Sequence, residues 1–323
     1  MTSTVSPLAL VEEDLKQLML DLRSLVSARH PILALAAEHL FSVKGKGIRP
    51  ALVLLVGRAT TRDGGLVPRH RRLAQITEMI HTASLVHDDV IDTADVRRGV
   101  STVNHHFGNR VAVLAGDFLF AQSSWYLANL DNLEVVKLLS QVIKDFAEGE
   151  IRQSLTAFDL SLTLDSYLEK SFYKTASLMA GSAKAAAVLS DASGDVAEAM
   201  YEFGRCFGIA FQIVDDLLDY TSSTETLGKP AGSDLSQGNL TAPVLFALPE
   251  APELVTLIER ELHEEGDLAR AVTMVQQSQG IPQAQQLAAS YGQRALKALD
   301  SLPHSSAKQS LWRLTEQTLA RFH

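Results

Sequence analysis

The chain has 323 residues, 46% hydrophobic and 21% charged, with a formal net charge of −9 and one cysteine. That apolar content excludes disorder, and 19 Gly with 10 Pro exclude collagen-like and low-complexity chains. The charge gives no general attraction to nucleic acid or anionic lipid, so an anionic ligand would have to be met by local basic groups.

The first stretch, MTSTVSPLALVEEDLKQLML, turns acidic early and has no basic segment before an apolar run, so it reads as neither signal nor transit peptide. Apolar runs such as Ala51–Val56 are far shorter than the roughly 18–20 residues that span a bilayer. Cys206 alone makes no internal disulfide or thiolate metal site. A soluble chain in the cytoplasm is expected, with peripheral membrane contact left open.

Apolar residues recur at helical spacing along nearly the whole chain. Leu15, Leu18, Leu22 and Leu25 stripe a helix over 9–27, followed by helices over 30–42, 49–60, 68–92 and 110–129. Leu133, Val136, Leu139, Val142, Ile143 and Phe146 stripe the next, over 132–156. Further helices are predicted over 164–190, 195–220, 241–247, 252–262, 266–278, 281–299 and 305–322. The breaks carry Pro31, Gly45–Gly47, Gly64–Gly65, Gly228–Pro230 and Gly280. No stretch resembles an interdomain linker or a solenoid repeat. The expectation is one all-α domain over 1–323, a bundle of about a dozen helices with a buried core.

One short pattern occurs twice: Asp88-Asp89-Val90-Ile91-Asp92 and Asp215-Asp216-Leu217-Leu218-Asp219, each closing a long helix. Positions three and four apart share a helical face, so each cluster stacks three like charges where the helix macrodipole already disfavours them. A solvated acidic face is the bland alternative, but each cluster follows an apolar run, Ala83–Val86 or Ile209–Val214. Oxygen-only ligands suit hard cations rather than zinc. Mg2+ takes one or two carboxylates plus phosphate oxygens and water, so the pair points to several Mg2+ ions holding a diphosphate.

The two DDxxD motifs and their surroundings resemble the trans-isoprenyl diphosphate synthases, the head-to-tail polyprenyl synthases, from about residue 30 to 247. Class I terpene cyclases share the fold but carry a different second metal motif, so the second cluster argues for elongation. The resemblance implies an all-α isoprenoid-synthase fold around a central cavity. Asp88, Asp89, Asp92, Asp215, Asp216 and Asp219 would hold Mg2+. In Gly45-Lys46-Gly47-Ile48-Arg49-Pro50, Lys46 and Arg49 would bind isopentenyl diphosphate, with His81 and Arg98. Family members often put a basic residue at Gly47; Lys44 is the nearby candidate to compensate. Arg97, Lys174, Thr175, Gln212 and Lys229 would meet the allylic diphosphate, with Lys174, Thr175, Gln212 and Lys229 supporting catalysis. A further family lysine is replaced by Asn239. Taken singly, a basic turn at 45–50, a core His81 and a solvated Arg97–Arg98 pair are ordinary structural features.

Ala83 and Ser84 precede Asp88 by about one turn and are small where farnesyl-producing relatives place bulky aromatics, so they would leave a tunnel for product growth. Trp125 or Tyr126 would be its floor. The wording HTASLVHDDVIDTADVRRG and GKPAGSDLSQGNLTAPVLFAL is most similar to cyanobacterial and plastid solanesyl diphosphate synthases. The resemblance implies a product of about C40–C50, with C45, a quinone side-chain precursor, as first choice. Geranylgeranyl diphosphate synthesis and a non-catalytic subunit of a heteromeric synthase are the alternatives. A homodimer is expected by the same resemblance.

Overall fold

The computed structural model of the chain describes residues 6–26, 28, 30–41, 45–97, 99–221 and 231–322, and regular structure among them is almost entirely helical. In chain order these are α1 (Glu12–Leu25), α2 (Pro31–Leu40), α3 (Ile48–Thr60), α4 (Pro68–Ile91), a small hairpin of β1 (Val96–Arg97) and β2 (Val100–Ser101), α5 (Val103–Phe107), α6 (Asn109–Ala128) and α7 (Leu133–Leu155). There follow α8 (Leu164–Ser171), a π-helical turn (Phe172–Ala176), α9 (Ser177–Val188), α10 (Gly194–Thr221), α11 (Ser233–Ser236), α12 (Ala242–Ala247), α13 (Pro252–Glu259), α14 (Asp267–Gln277), α15 (Gly280–Ala298) and α16 (Ser306–Leu319). Pro31, Pro68 and Pro252 open their helices, where a missing N–H is no loss. Thr102 and Thr163 cap theirs by accepting the His105 and Ser166 amides at 3.3 and 3.2 Å.

The chain divides into two compact units: residues 1–143, 181–201 and 299–313 form the first, and 144–180, 202–298 and 314–323 the second. In the first unit α4 packs along both α3 and α6. The apolar run Ala51–Val56 makes α3 a fully buried helix, each large side chain contributing about 1.5–3 kcal/mol. His70, also fully buried, accepts the Val67 amide at Nδ1 (3.3 Å), so Nε2 carries the proton and meets the Ala186 carbonyl at 3.1 Å. Its ring lies so near Gly57 that a β-carbon there would stand 2.9 Å away. Burial holds the His70 pKa below its usual value.

In the second unit Tyr220, Leu235, Val244, Leu254, Ile258 and Val275 share one core. α10 approaches the 176–180 backbone closely: a β-carbon on Gly204 would stand 2.4 Å from the Met179 carbonyl oxygen, and one on Gly208 2.6 Å from the Ala176 Cα. Cys206 is buried nearby and donates to Glu202 at 3.0 Å, and burial with that carboxylate pushes its thiol up to about 12. It is a structural thiol.

The helices fall close to the sequence expectation. Three features differ. The expected 164–190 helix is broken by the π-helical turn at 172–176, and α5 and α11 are too short for a periodic signal. The hairpin has two residues per strand, too few to show alternation, and turns at Gly99 with φ +78°.

Candidate active site

The first cluster closes α4, with Asp88 and Asp89 in the last turn and Asp92 as its C-cap. Asp89 is buried, 5% exposed, while Asp92 is exposed. The β1–β2 hairpin folds back so that Arg97 Nε donates to Asp89 Oδ1 at 2.6 Å. Asn104 and Thr102 hold the turn between them by donating to the Ala94 carbonyl at 3.0 and 2.7 Å. Burial pushes the Asp89 carboxyl up; the Arg97 guanidinium opposes this, and the Asp92 charge adds to it.

Two turns before Asp88, His81 Nε2 lies 3.1 Å from Arg49 Nη1. Arginine only donates, so this ring nitrogen accepts and His81 is fixed in the Nδ1–H tautomer. Arg49 sits in the first turn of α3, whose N-cap is Gly47 at φ +62°, a left-handed conformation that favours glycine. Lys46 is exposed beside it. His81, Asp89 and Arg97 line one cleft, partly open to solvent, together with His39, Phe41 and Glu78. His39 donates from Nε2 to the Ser101 carbonyl at 2.7 Å.

In the second unit the carboxylates of α10 are held by named donors. Tyr167 donates to Asp216 Oδ2 at 2.5 Å and Gln212 Nε2 to Oδ1 at 2.7 Å. Thr175 in turn donates to Gln212 Oε1 at 2.6 Å. That chain fixes the amide orientation, because the carboxylate takes the NH2 end and the hydroxyl the oxygen end. Asp216 and Asp219 are 3% and 2% exposed. Asp219 accepts the Asp234 amide at 3.1 Å, and Arg321 lies 2.8 Å from Asp215. Burial, with the Asp234 charge behind it, pushes Asp216 up to about 8, against the bonds from Tyr167 and Gln212. Lys174, in the π-helical turn, donates to Glu150 at 3.3 Å and Gln153 at 3.1 Å. Such turns recur at functional sites because the extra residue re-aims side chains.

Of the residues singled out in the sequence, the cleft of the first unit brings together His81, Asp89 and Arg97, with Arg49 bonded to His81. Thr175, Gln212 and Asp216 form one chain in the second unit. Arg98, Lys229 and Lys44 lie outside the described residues. Ala83 is buried and Ser84 partly buried on α4. Trp125 is 66% exposed on α6, so it is not packed as a tunnel floor within this chain. Tyr126 instead donates to the Leu25 carbonyl at 3.4 Å and lies under the Arg72 guanidinium. Tyr167, Glu150 and Gln153 drew no attention in the sequence; Tyr167 lies two turns before Lys174, the one signal available.

The donor set fits a hard divalent ion: oxygen ligands, two of them in buried carboxylates that burial pushes toward protonation when no cation is near. Among the described residues no three His, Cys, Asp or Glu side chains converge to hold a metal by themselves, so an ion would draw its other oxygens from water or phosphate.

The chain is similar to known proteins along most of its length. The polyprenyl synthetase family model matches residues 30–275. A prenyl transferase of Synechocystis sp. is 62% identical over all of both chains. The chloroplastic solanesyl-diphosphate synthase 2 of Oryza sativa subsp. japonica is 55% identical over 99% of this chain and 80% of that one. The crystal structure of a Caulobacter crescentus polyprenyl synthase complexed with calcium and isoprenyl diphosphate superposes with a TM-score of 0.91, at 33% identity, covering 98% of this chain and 97% of that one.

Proposed function

The chain belongs to the polyprenyl synthetase family, prenyltransferases that use a divalent metal ion to join isoprenyl diphosphates head to tail into a long chain, and from that premise we propose its metal, its product and a role for each site residue. The metal is Mg2+, the allylic primer is extended by isopentenyl diphosphate, and the product is about C40–C50, with C45 first. The whole of 1–323 acts as one synthase domain. The observation that carries the reading is Asp216: a carboxylate buried to 3% exposure and gripped by Tyr167 and Gln212 is built to hold a ligand, which a solvated acidic face is not.

Asp88, Asp89, Asp92, Asp215, Asp216 and Asp219 would hold the ions, which supply charge to stabilise the departing diphosphate. Lys174, Lys229 and Arg97 bind the allylic diphosphate and stabilise the charge that develops as its C–O bond breaks. Lys46, Arg49, His81 and Arg98 bind isopentenyl diphosphate. His81, accepting from Arg49 at 3.1 Å, fixes the guanidinium for a bidentate grip on phosphate. Held beside the allylic cation, the isopentenyl double bond attacks its C1, and proximity is a major term. Loss of a proton to an oxygen of the released diphosphate then restores an alkene five carbons longer. Thr175 turns a hydroxyl oxygen toward the developing positive charge, and Gln212 keeps Asp216 oriented. Apolar walls exclude the water that would quench the cation.

Ala83 and Ser84 leave room for the growing chain. Val113, Leu114 and Trp125, exposed on α6, support a homodimer whose second copy covers them. No helix among the described residues is long and apolar enough to cross a membrane. We place the protein in the cytoplasm, touching membranes peripherally to release its product. The test is to compare wild type with Asp88→Ala and Asp215→Ala in Mg2+, isopentenyl diphosphate and an allylic primer. Turnover is expected to fall by orders of magnitude with helix content unchanged; near-wild-type activity in either variant would sink the two-cluster mechanism.

A further inference from the structure

One cation of the second unit has no role in the scheme above. Lys170 lies on α8, three residues after Tyr167 and so on its face, and four residues before Lys174 in the π-helical turn. Both of these neighbours are engaged: Tyr167 with Asp216, and Lys174 with Glu150 and Gln153. The adjacent charges on the other face are also paired, Glu169 with Arg152 at 2.8 Å. Lys170 is different. It is partly buried, yet among the described residues its ammonium has no hydrogen-bond acceptor and no carboxylate within 4.0 Å. The charges it feels are Asp216, Asp234 and Glu150, which favour its protonated form, and Lys174, which opposes it; burial outweighs them and lowers its pKa.

Its Nζ reaches solvent, so water meets its three donors in the free protein, and an arriving anion would take them over from water. The position says which anion. Lys170 feels the charge of Asp216, one of the carboxylates proposed to hold the diphosphate-bound ions, and sits one turn after Tyr167, which donates to that carboxylate. The Gly232–Asn239 stretch is tied to the same cluster: the Asp234 amide donates to Asp219 at 3.1 Å, and the Asn239 amide donates to the Asp234 carbonyl at 2.9 Å. Asn239 thus stands in the turn tied to Asp219, and its side chain carries no charge.

We propose that Lys170 is a further binding residue for the allylic diphosphate, supplying from α8 the positive charge that Asn239 does not supply from the 232–239 turn. The proposal rests on the synthase reading above, and its test separates the two. Bound diphosphate oxygens would accept from the Lys170 ammonium beside Lys174, displacing the water that meets it in the free protein.

The experiment compares the full-length wild type with Lys170→Gln, Lys170→Arg and the double variant Lys170→Gln/Asn239→Lys. Inorganic pyrophosphate binding in Mg2+ is measured by calorimetry, alongside KM for each substrate. Loss of a charged hydrogen bond from Lys170→Gln should weaken pyrophosphate binding and raise the allylic KM by about ten- to a hundredfold. The KM for isopentenyl diphosphate should not move, and the melting temperature should hold or rise. Lys170→Arg should bind like wild type, and the double variant should recover most of the loss. Unchanged pyrophosphate affinity in Lys170→Gln overturns the proposal, as does an equal rise in both KM values, the mark of a structural role. Should Lys170→Gln fail to fold, Lys170→Arg and Asn239→Lys alone decide: weakened binding in the first, or no gain in the second, overturns it. A wild type that binds pyrophosphate but makes no product refutes the synthase reading and leaves Lys170 to be judged on binding.

Discussion

Tyr167→Phe removes one oxygen from the second unit and leaves the buried ring in place, so no large cavity opens. What is lost is a 2.5 Å donor to Asp216 Oδ2, leaving Gln212 at 2.7 Å as the remaining described donor to that carboxylate. A hydrogen bond to a charged group is worth about 1.5–3 kcal/mol, or about tenfold to 150-fold in an equilibrium. Tyr167 opposes the upward push of burial on the Asp216 carboxyl. Its removal therefore favours the protonated acid, a poorer metal ligand. Loss of an outer hydrogen bond of this kind typically weakens metal affinity or activity by about 10–100-fold. The assay is the Mg2+ concentration for half-maximal condensation, paired with thermal melts in chelator. The expected result is a metal requirement raised by about that factor. An unchanged requirement, with or without a change in melting, refutes the idea that Tyr167 positions a metal ligand.

Gly204→Ala places a β-carbon 2.4 Å from the Met179 carbonyl oxygen and 2.8 Å from the Ala180 Cα, backbone that cannot turn aside. A loss of about 1–3 kcal/mol is expected in denaturant melts, and wild-type stability would mean that α10 is free to move off. His70 is held below its usual pKa by burial. Its contribution to stability is therefore complete above the unfolded value of about 6.5 and is lost as pH falls toward and through the lowered folded value. Denaturant melts at pH 7.5 and 5.5 should show that decline in the wild type and a shallower one in His70→Gln; an equal decline assigns it elsewhere. Ala83→Phe and Ser84→Phe should each shorten the product, read by chromatography of the dephosphorylated alcohols; an unchanged length removes these positions from length control.

How legible this was from sequence depended on how far apart the partners lie along the chain. The helices of 68–91 and 194–221 and the aspartates that end them were readable because their signal is local: apolar spacing, then DDxxD. Arg97 was readable as a basic group, but its bond to Asp89 needs the two-residue strands that fold it back, a signal too short to see. Tyr167 grips an aspartate 49 residues away, and Lys174 reaches Glu150 and Gln153 across 24 and 21 residues, so nothing near either residue announces its partner. The π-helical turn hides inside a continuous apolar pattern, because one extra residue per turn leaves composition untouched. Trp125 shows the limit of size as a guide: a large aromatic on an apolar helix invites an interior role, yet it stands exposed.

The central claim is a metal-dependent elongation that continues past the short chains. Its most direct measurement is the length of the product made by the isolated protein from farnesyl diphosphate, isopentenyl diphosphate and Mg2+, with a chelator control. The expected result is a distribution peaking at about C40–C50 that vanishes with chelator. A clean C20 product contradicts the proposal that Ala83 and Ser84 leave room for a growing chain, and no product at all contradicts the assignment of the two aspartate clusters as a working metal site.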